Sequence, residues 1–301
     1  LAGGTDLLVR LRAGHIEPSS IVDIKRIAGM NEITSEEGGW RIGAGVSCAA
    51  MGEHAGLKAD YPGVVEGAEL IGSTQVQGRC TMVGNLCNAG PAGDSVPAMV
   101  AAGATVRVAG PSGTRDVPVI DIPLSPGKNS LAAGEFVTSV FLPARAQKGG
   151  DAYLRFIPRT EMDIAVVGCA VNIILGEDGT VECAGVSLGA VAPKVLLVKE
   201  AAEALIGSKC EDAALDACAA AASAAAEPVD HKRGTGAVRK DITAAPAPRA
   251  ARLASTRSPG EPSCSVSPAS PPSTAPAAAT SATRRPNPSA SRSAAVPSQG
   301  P

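Results

Sequence analysis

Thr81-Met82-Val83-Gly84-Asn85-Leu86-Cys87-Asn88-Ala89-Gly90-Pro91-Ala92-Gly93-Asp94 interleaves three glycines with a hydroxyl, two amides and a carboxylate. Glycine lets a backbone come close to a flat or phosphate-bearing ligand, because no Cβ stands in the way. Thr81 can donate to a phosphate oxygen. Asn85 and Asn88 can fix the loop or a ligand, and Asp94 can accept from sugar hydroxyls. The same residues would equally build a polar surface loop held by Asx turns.

A second glycine stretch opens the chain, Leu1-Ala2-Gly3-Gly4-Thr5-Asp6-Leu7-Leu8. Adjacent glycines can take left-handed angles and expose their N–H groups. Thr5 and Asp6 are placed to cap a helix through Leu7–Leu11, and donors at a helix start suit an anion. The bland reading is a turn before a capped helix. Gly43-Ala44-Gly45-Val46-Ser47-Cys48 imitates the start of a dinucleotide fingerprint. Cys48 stands where the third glycine is needed, and Asp60 is too close to serve as the ribose acid, so a Rossmann site is rejected.

Outward from these loops, the pattern predicts an α+β fold. Trp40–Ser47, Ala104–Gly110 and the RDVPV stretch read as strands, and Val96–Ala104 as a short buried helix. Asp163–Leu175 and Thr180–Val191 are β-rich runs joined by GEDG, a hairpin signal. Helices follow over Lys199–Ile206, stopped by Gly207, and Glu211–Glu227, ended by Pro228. The expected division is 1–147, 148–244 and a tail, 245–301. The tail holds half the prolines, six arginines, one acid (Glu261), no lysine and no aromatic residue. Such a composition does not offset chain entropy and reads as disordered, either as a basic linker or as out-of-frame translation.

The 301 residues carry a net charge of −2, which leaves no basic footprint for nucleic acid. No run has the length of a membrane span, and no signal-peptide pattern is present, so a cytoplasmic protein is expected. Eight cysteines lack any CxxC pair and read as reduced, partly buried thiols rather than metal ligands. His15, His54 and His231 are isolated and read as structural or surface residues. No catalytic acid or base and no metal site is assigned.

LAGGTDLLVRLR followed by IGSTQVQGRCTMVGNLCNAGPAGDSVPA resembles the FAD-binding domain of the molybdopterin dehydrogenase family, the medium subunits of the xanthine and carbon monoxide dehydrogenase type. GTRDVPV, SPGKNSLAAGEFVTSVFLP, AYLRFIPRTEMDIAVVGCA, VSLGAVAP and PVDHKRGTGAVRK follow in the family's order. The resemblance implies a two-lobed FAD-binding domain of the vanillyl-alcohol-oxidase (PCMH) type, shortened at its N-terminus. A C-terminal α+β domain with a small antiparallel sheet and helices follows it. It implies that the backbone of Ala2, Gly3, Gly4, Thr5, Asp6 and Leu7, with Thr81, Val83, Gly84 and Asn85, holds the FAD pyrophosphate. Asp94 matches the family's FAD-contacting acid, Arg155 a basic residue near the flavin, and Ile71 and Val137 apolar positions beside the cofactor.

The implied partners are a large molybdopterin-binding subunit and a small [2Fe–2S] subunit, with electrons leaving through FAD to NAD, a quinone or another acceptor. A stand-alone FAD-dependent oxidase and a non-catalytic scaffold subunit are the rival readings. The sequence departs from the family at Val83 (usually the first of two glycines), Gly78 (often Asn), Gly90 (commonly Ser) and Val238 (aromatic). The closing motif keeps Asp230, Arg233, Gly234 and Arg239.

Overall fold

The computed structural model describes residues 1–160, 162–230 and 234–258. Two antiparallel sheets organise it. The first has five strands in the order β1-β2-β7-β3-β4. They are β1 (Ile33–Glu36), β2 (Gly39–Gly43), β3 (Thr105–Gly110), β4 (Gly113–Pro118) and β7 (Phe136–Leu142). A two-stranded ribbon, β5 (Pro123–Ser125) and β6 (Lys128–Asn129), lies between β4 and β7 in sequence. The second sheet has the order β11-β10-β9-β8: β8 (Gly149–Phe156), β9 (Val167–Leu175), β10 (Val181–Gly189) and β11 (Leu196–Leu197).

Alternation decides which way each strand faces. In β3, Val106 and Val108 are buried while Arg107 points out and forms a 3.0 Å ion pair with Asp116 across β4. In β7, Val137, Val140 and Leu142 are buried. The predicted strand at Trp40–Ser47 ends early, because Ser47 turns to cap the next helix by accepting from the Ala50 N–H at 3.2 Å. GEDG forms the β9–β10 hairpin, which pairs Cys169 with Leu188 and Asn172 with Gly185.

Seven helices belong to the first lobe: α1 (Leu7–Arg12), α2 (Cys48–Glu53), α3 (Ala55–Asp60), α4 (Pro62–Glu69), α5 (Thr74–Gln77), α6 (Met82–Cys87) and α7 (Ser95–Ala101). Among the described residues, four follow the second sheet: α8 (Lys199–Glu203), α9 (Asp212–Ala225), α10 (Gly236–Thr243) and α11 (Pro246–Arg257). Every residue of α7 is buried, in keeping with a sequence that is apolar after Ser95. It sits against β9 and β10, where Gly185 and Gly189 give it room. A Cβ on Gly185 would lie 2.5 Å from the Ala101 carbonyl oxygen, and one on Gly189 2.7 Å from Pro97 Cγ. One apolar cluster fills the space under the first sheet, around Ile42, Met51, Leu86, Met99 and Val106. A second lies between the other sheet and α8, α9 and α11, around Val171, Ile173, Leu188, Leu205 and Cys218.

The reading of 245–301 as disordered does not hold for its first stretch. Pro246–Arg257 is a helix packed on β8 and β9. Pro246 and Pro248 lie in its first turn, where a missing N–H costs nothing. Ala247, Ala250, Ala251 and Ala254 recur at helical spacing and are fully buried. Gly150 permits the contact, since a Cβ there would strike the Ala254 carbonyl. Arg257 then binds the Glu66 carboxylate of α4 through both Nη atoms. The remainder of the tail, with Glu261 and Cys264, and also His231 and Arg233, lie outside the described residues. Among the described residues no helix is long and apolar enough to cross a membrane.

Ala250→Asp would bury a lone carboxylate against the second sheet. It is expected to destabilise the fold by about 3 kcal/mol or more, while Arg249→Ala, at an exposed neighbour, should stay within about 0.5 kcal/mol. Urea denaturation checks this, and equal midpoints would mean that α11 is not docked.

Candidate functional site

The two glycine-bearing turns meet. A Cβ on Gly3 would overlap the Arg79 carbonyl oxygen and lie 2.9 Å from Cys80 Cα, so the opening loop is pressed backbone to backbone on the Arg79–Cys80 turn. Gly4 has φ +80°, the left-handed region that glycine takes without strain. The loop is tied down by Lys25 Nζ, which donates to the Ala2 carbonyl at 2.8 Å, and by the Leu1 amino group, which donates to the Val22 carbonyl at 2.6 Å. Asp6 does not cap α1 with its side chain, contrary to the expectation from its position. Thr81 does cap α6: its buried Oγ1 accepts from the Gly84 N–H at 2.9 Å, leaving its own proton free to donate.

Among the described residues, nothing accepts from the main-chain N–H groups of Gly3, Gly4, Thr5 and Asp6, or of Met82 and Val83. Such donors stay stable only if water or a ligand satisfies them. Ala2, Gly3, Gly4, Thr5, Asp6, Leu7, Ile71, Thr81, Gly84 and Asn85 all line one cavity of about 240 Å³. Cys80, Cys87, Asn88, Leu1 and Arg10 line it as well.

A second cavity, of about 510 Å³, adjoins it and shares Asp6, Asn85 and Asn88 as lining. Its walls are largely apolar and come from both lobes. Gly90–Gly93 and Pro126 belong to the first lobe; Ile164, Val166, Ala190, Pro193, Val229 and Arg239 belong to the second. The ribbon holds the loop between the cavities, since Asn129 Nδ2 donates to the Cys87 carbonyl at 2.9 Å and Gly127 N–H to the Ala89 carbonyl at 3.0 Å. Asn85 Oδ1 accepts from Ser95 Oγ at 2.9 Å, which fixes the amide at the junction. A trough with free amide donors at one end and an apolar chamber at the other suits a long ligand with a phosphate middle and a flat ring.

Four of the expected residues lie off both cavities. Val83 and Val137 belong to the buried cluster under the first sheet. The Val83 Cβ therefore does not enter the cleft beside Gly84. Asp94 and Arg155 face each other: Arg155 Nη1 donates to Asp94 Oδ2 at 2.7 Å, and Tyr153 Oη donates to Oδ1 at 2.8 Å. Burial pushes the Asp94 carboxyl up to about 6, although Arg155 and Tyr153 pull it down. Tyr153 is raised well above its ordinary value by burial. This network joins α7 to β8, the seam between the lobes.

The sequence reading also missed a thiol pair. Cys48 N–H donates to the Cys80 carbonyl at 2.9 Å, and the hydrogen bond between the two thiols pushes Cys48 up and Cys80 down. The residues are too far apart in sequence to carry a spacing signal. The second cavity's lining from Ile164 onward falls in VSLGAVAP and the neighbouring quoted motifs, and of that lining only Arg239 is a residue the sequence comparison names, as a retained position of the closing motif. Among the described residues no group of His, Cys, Asp and Glu forms a metal set.

Residues 1–145 match the family model for the FAD binding domain in molybdopterin dehydrogenase, and residues 152–253 match that for the CO dehydrogenase flavoprotein C-terminal domain. The carbon monoxide dehydrogenase medium chain of Hydrogenophaga pseudoflava is 31% identical over 234 residues, 78% of this chain and 81% of that one. The xanthine dehydrogenase FAD-binding subunit of Escherichia coli O157:H7 is 30% identical over 195 residues; the match takes in 64% of this chain and 66% of that subunit. Among solved structures, a carbon monoxide dehydrogenase from Hydrogenophaga pseudoflava that lacks the Mo-pyranopterin moiety matches with TM-score 0.81 at 30% identity, covering 86% of this chain and 90% of that one.

Asp94→Asn leaves the Arg155 charge buried without its counter-ion and is expected to cost about 3 kcal/mol. Combined with Arg155→Met in a double-mutant cycle, the coupling should be about 1–3 kcal/mol. Thermal or urea unfolding gives both values, and additive single effects would show that the seam does not depend on this pair.

Proposed function

The chain belongs to the FAD-binding medium subunits of the molybdopterin dehydrogenase family, and from that premise we propose how its residues hold the cofactor and serve an electron-transfer complex. The observation that carries the reading is the meeting of the two glycine turns with their main-chain N–H groups free. In this reading the N–H groups of Gly3, Gly4, Thr5 and Asp6 and those at the start of α6 donate to the pyrophosphate oxygens, and the Thr81 hydroxyl adds a donor. Each charge-assisted bond from a neutral N–H shares the anion's charge, and Arg10 lines the same cavity. Ile71 supplies apolar contact at the same end. Asn85 and Asn88 mark the passage between the cavities, and the apolar second chamber takes the ring end. Leu7 and Ala2 shape the loop.

Val83, Val137, Asp94 and Arg155 act in this reading as support: two as core under the grip, two as the hinge pin between lobes. The domain division at 147/148 is part of the same reading, with the second domain carried past 244 to include α11. When bound, FAD supplies the redox centre that takes electrons from the [2Fe–2S] clusters of a small partner subunit and yields them to NAD, a quinone or another acceptor. A large subunit with molybdopterin is the site of substrate oxidation. The names of the relatives, medium chains and FAD-binding subunits, support the assembly.

Purified chain mixed with FAD should take on a protein-bound flavin absorption band. Gly3→Val, which wedges the opening loop off the Arg79–Cys80 turn, should weaken FAD binding at least tenfold, about 1.4 kcal/mol, with circular dichroism unchanged. A wild-type chain that retains no flavin in excess FAD would leave the scaffold reading in its place. Copurification of an iron–sulfur and a molybdopterin subunit separates the hydroxylase from a stand-alone oxidase.

A further inference from the structure

The second cavity contains a charge that the pyrophosphate grip does not use. Arg239, in α10, is 8% exposed and lines that cavity. Nε and Nη2 each donate to the Val166 carbonyl at 3.3 Å, and Nη1 donates to the Val229 carbonyl at 2.8 Å. Nη2 also donates to the carbonyl of Ala190, a residue held at φ +65°. Among the described residues every acceptor is a main-chain carbonyl, and no carboxylate pairs with the guanidinium. Carbonyl dipoles orient the group but leave its unit charge uncancelled. A guanidinium does not shed that charge at any working pH, and a charge so buried ordinarily has a counter-ion. Burial lowers the Arg239 pKa, the direction expected of a cation without one. The other charged residue lining the chamber, Asp6, sits at its junction with the first cavity.

A chamber that is apolar and carries one buried cation favours a ring that gains negative charge during its working cycle. We propose that Arg239 places a fixed positive charge at the ring end of the cleft and binds the reduced, anionic flavin more tightly than the oxidised one. The proposal rests on the reading above that FAD spans both cavities. The balance is simple: the ring takes up two electrons from a reduced iron–sulfur partner and one proton, and is left with one net negative charge. Arg239 opposes that charge, so the potential of the bound flavin rises. A purely structural arginine, pinning Val166, Ala190 and Val229 together, would affect stability and leave the ratio of the two affinities alone.

The experiment compares wild type, Arg239→Lys and Arg239→Gln, each reconstituted with FAD. The dissociation constant of oxidised FAD and the midpoint potential, read by dye equilibration during dithionite reduction, are measured for each. Arg239→Gln is expected to weaken binding of reduced relative to oxidised flavin at least tenfold, about 30 mV for a two-electron couple. Arg239→Lys should recover most of the loss. A second measurement needs no substitution: wild type loaded with 8-mercapto-FAD should show the red-shifted spectrum of the form whose negative charge lies on the ring. An unchanged affinity ratio in Arg239→Gln overturns the proposal, as does an 8-mercapto-FAD spectrum with the charge left on sulfur. A wild type that takes up no FAD defeats the cofactor reading and this proposal together, whereas bound FAD with no effect at Arg239 defeats this proposal alone.

Discussion

The contact on which the site depends is main chain against main chain: Gly3 lying on the Arg79 carbonyl and Cys80 Cα. No side chain fits between them. Because the opening loop is held that closely, it lines one cleft together with Thr81, Gly84 and Asn85 at the start of α6. The neighbouring packing keeps this geometry in place. Lys25 and the chain's first amino group hold the loop from behind. Cys80 is fixed from below by the N–H of Cys48 at the start of α2. The loop that lines the cleft is therefore positioned by main-chain contacts.

The second lobe completes the trough through α7. That helix is buried on every side because it has the first lobe's core on one side and β9 and β10 on the other. Gly185 and Gly189 let it sink onto the sheet, which brings Pro91 within 2.7 Å of the Ala190 N–H. This single hydrogen bond joins the loop after α6 to the turn after β10, the two walls of the larger cavity. The Asp94, Tyr153 and Arg155 network runs beside it. Both oxygens of Asp94 accept a hydrogen bond within the protein, so this acid ties α7 to β8 at the seam.

What was legible in the sequence was what local pattern encodes. Alternation revealed β3, β4, β9 and β10, and the two glycine turns stood out because no ordinary strand or helix uses such residues there. Composition failed at residue 245. The prolines and arginines that mark the tail as a whole also occur in α11, where Pro246 and Pro248 fall in the one turn that tolerates them. The signal present was the alanine spacing at 247, 250, 251 and 254, weak because alanine is so common nearby. Tertiary pairing was the other blind spot. Nothing local says that Asp94 will meet Arg155, or that Cys48 will lie on Cys80, since both depend on how the sheets are stacked.

The distribution of charge follows from the same packing. Asp151 and Asp94 are both buried carboxylates, pushed up to about 6 by burial, and each is matched by an arginine, Arg145 and Arg155. Glu66 is matched by Arg257. The seam and the docked helix are thus built from neutralised pairs, which contribute orientation and little net field. Arg239 differs, because carbonyls and not a carboxylate surround it. Among the described residues, the other buried charges, Asp94 and Asp151, have counter-ions, while Arg239 is left bare against an apolar chamber, where a ligand would feel its field. A chamber lined instead by a matched pair would bind a ring equally in either charge state, and that difference separates a holder of the cofactor from one that sets its potential.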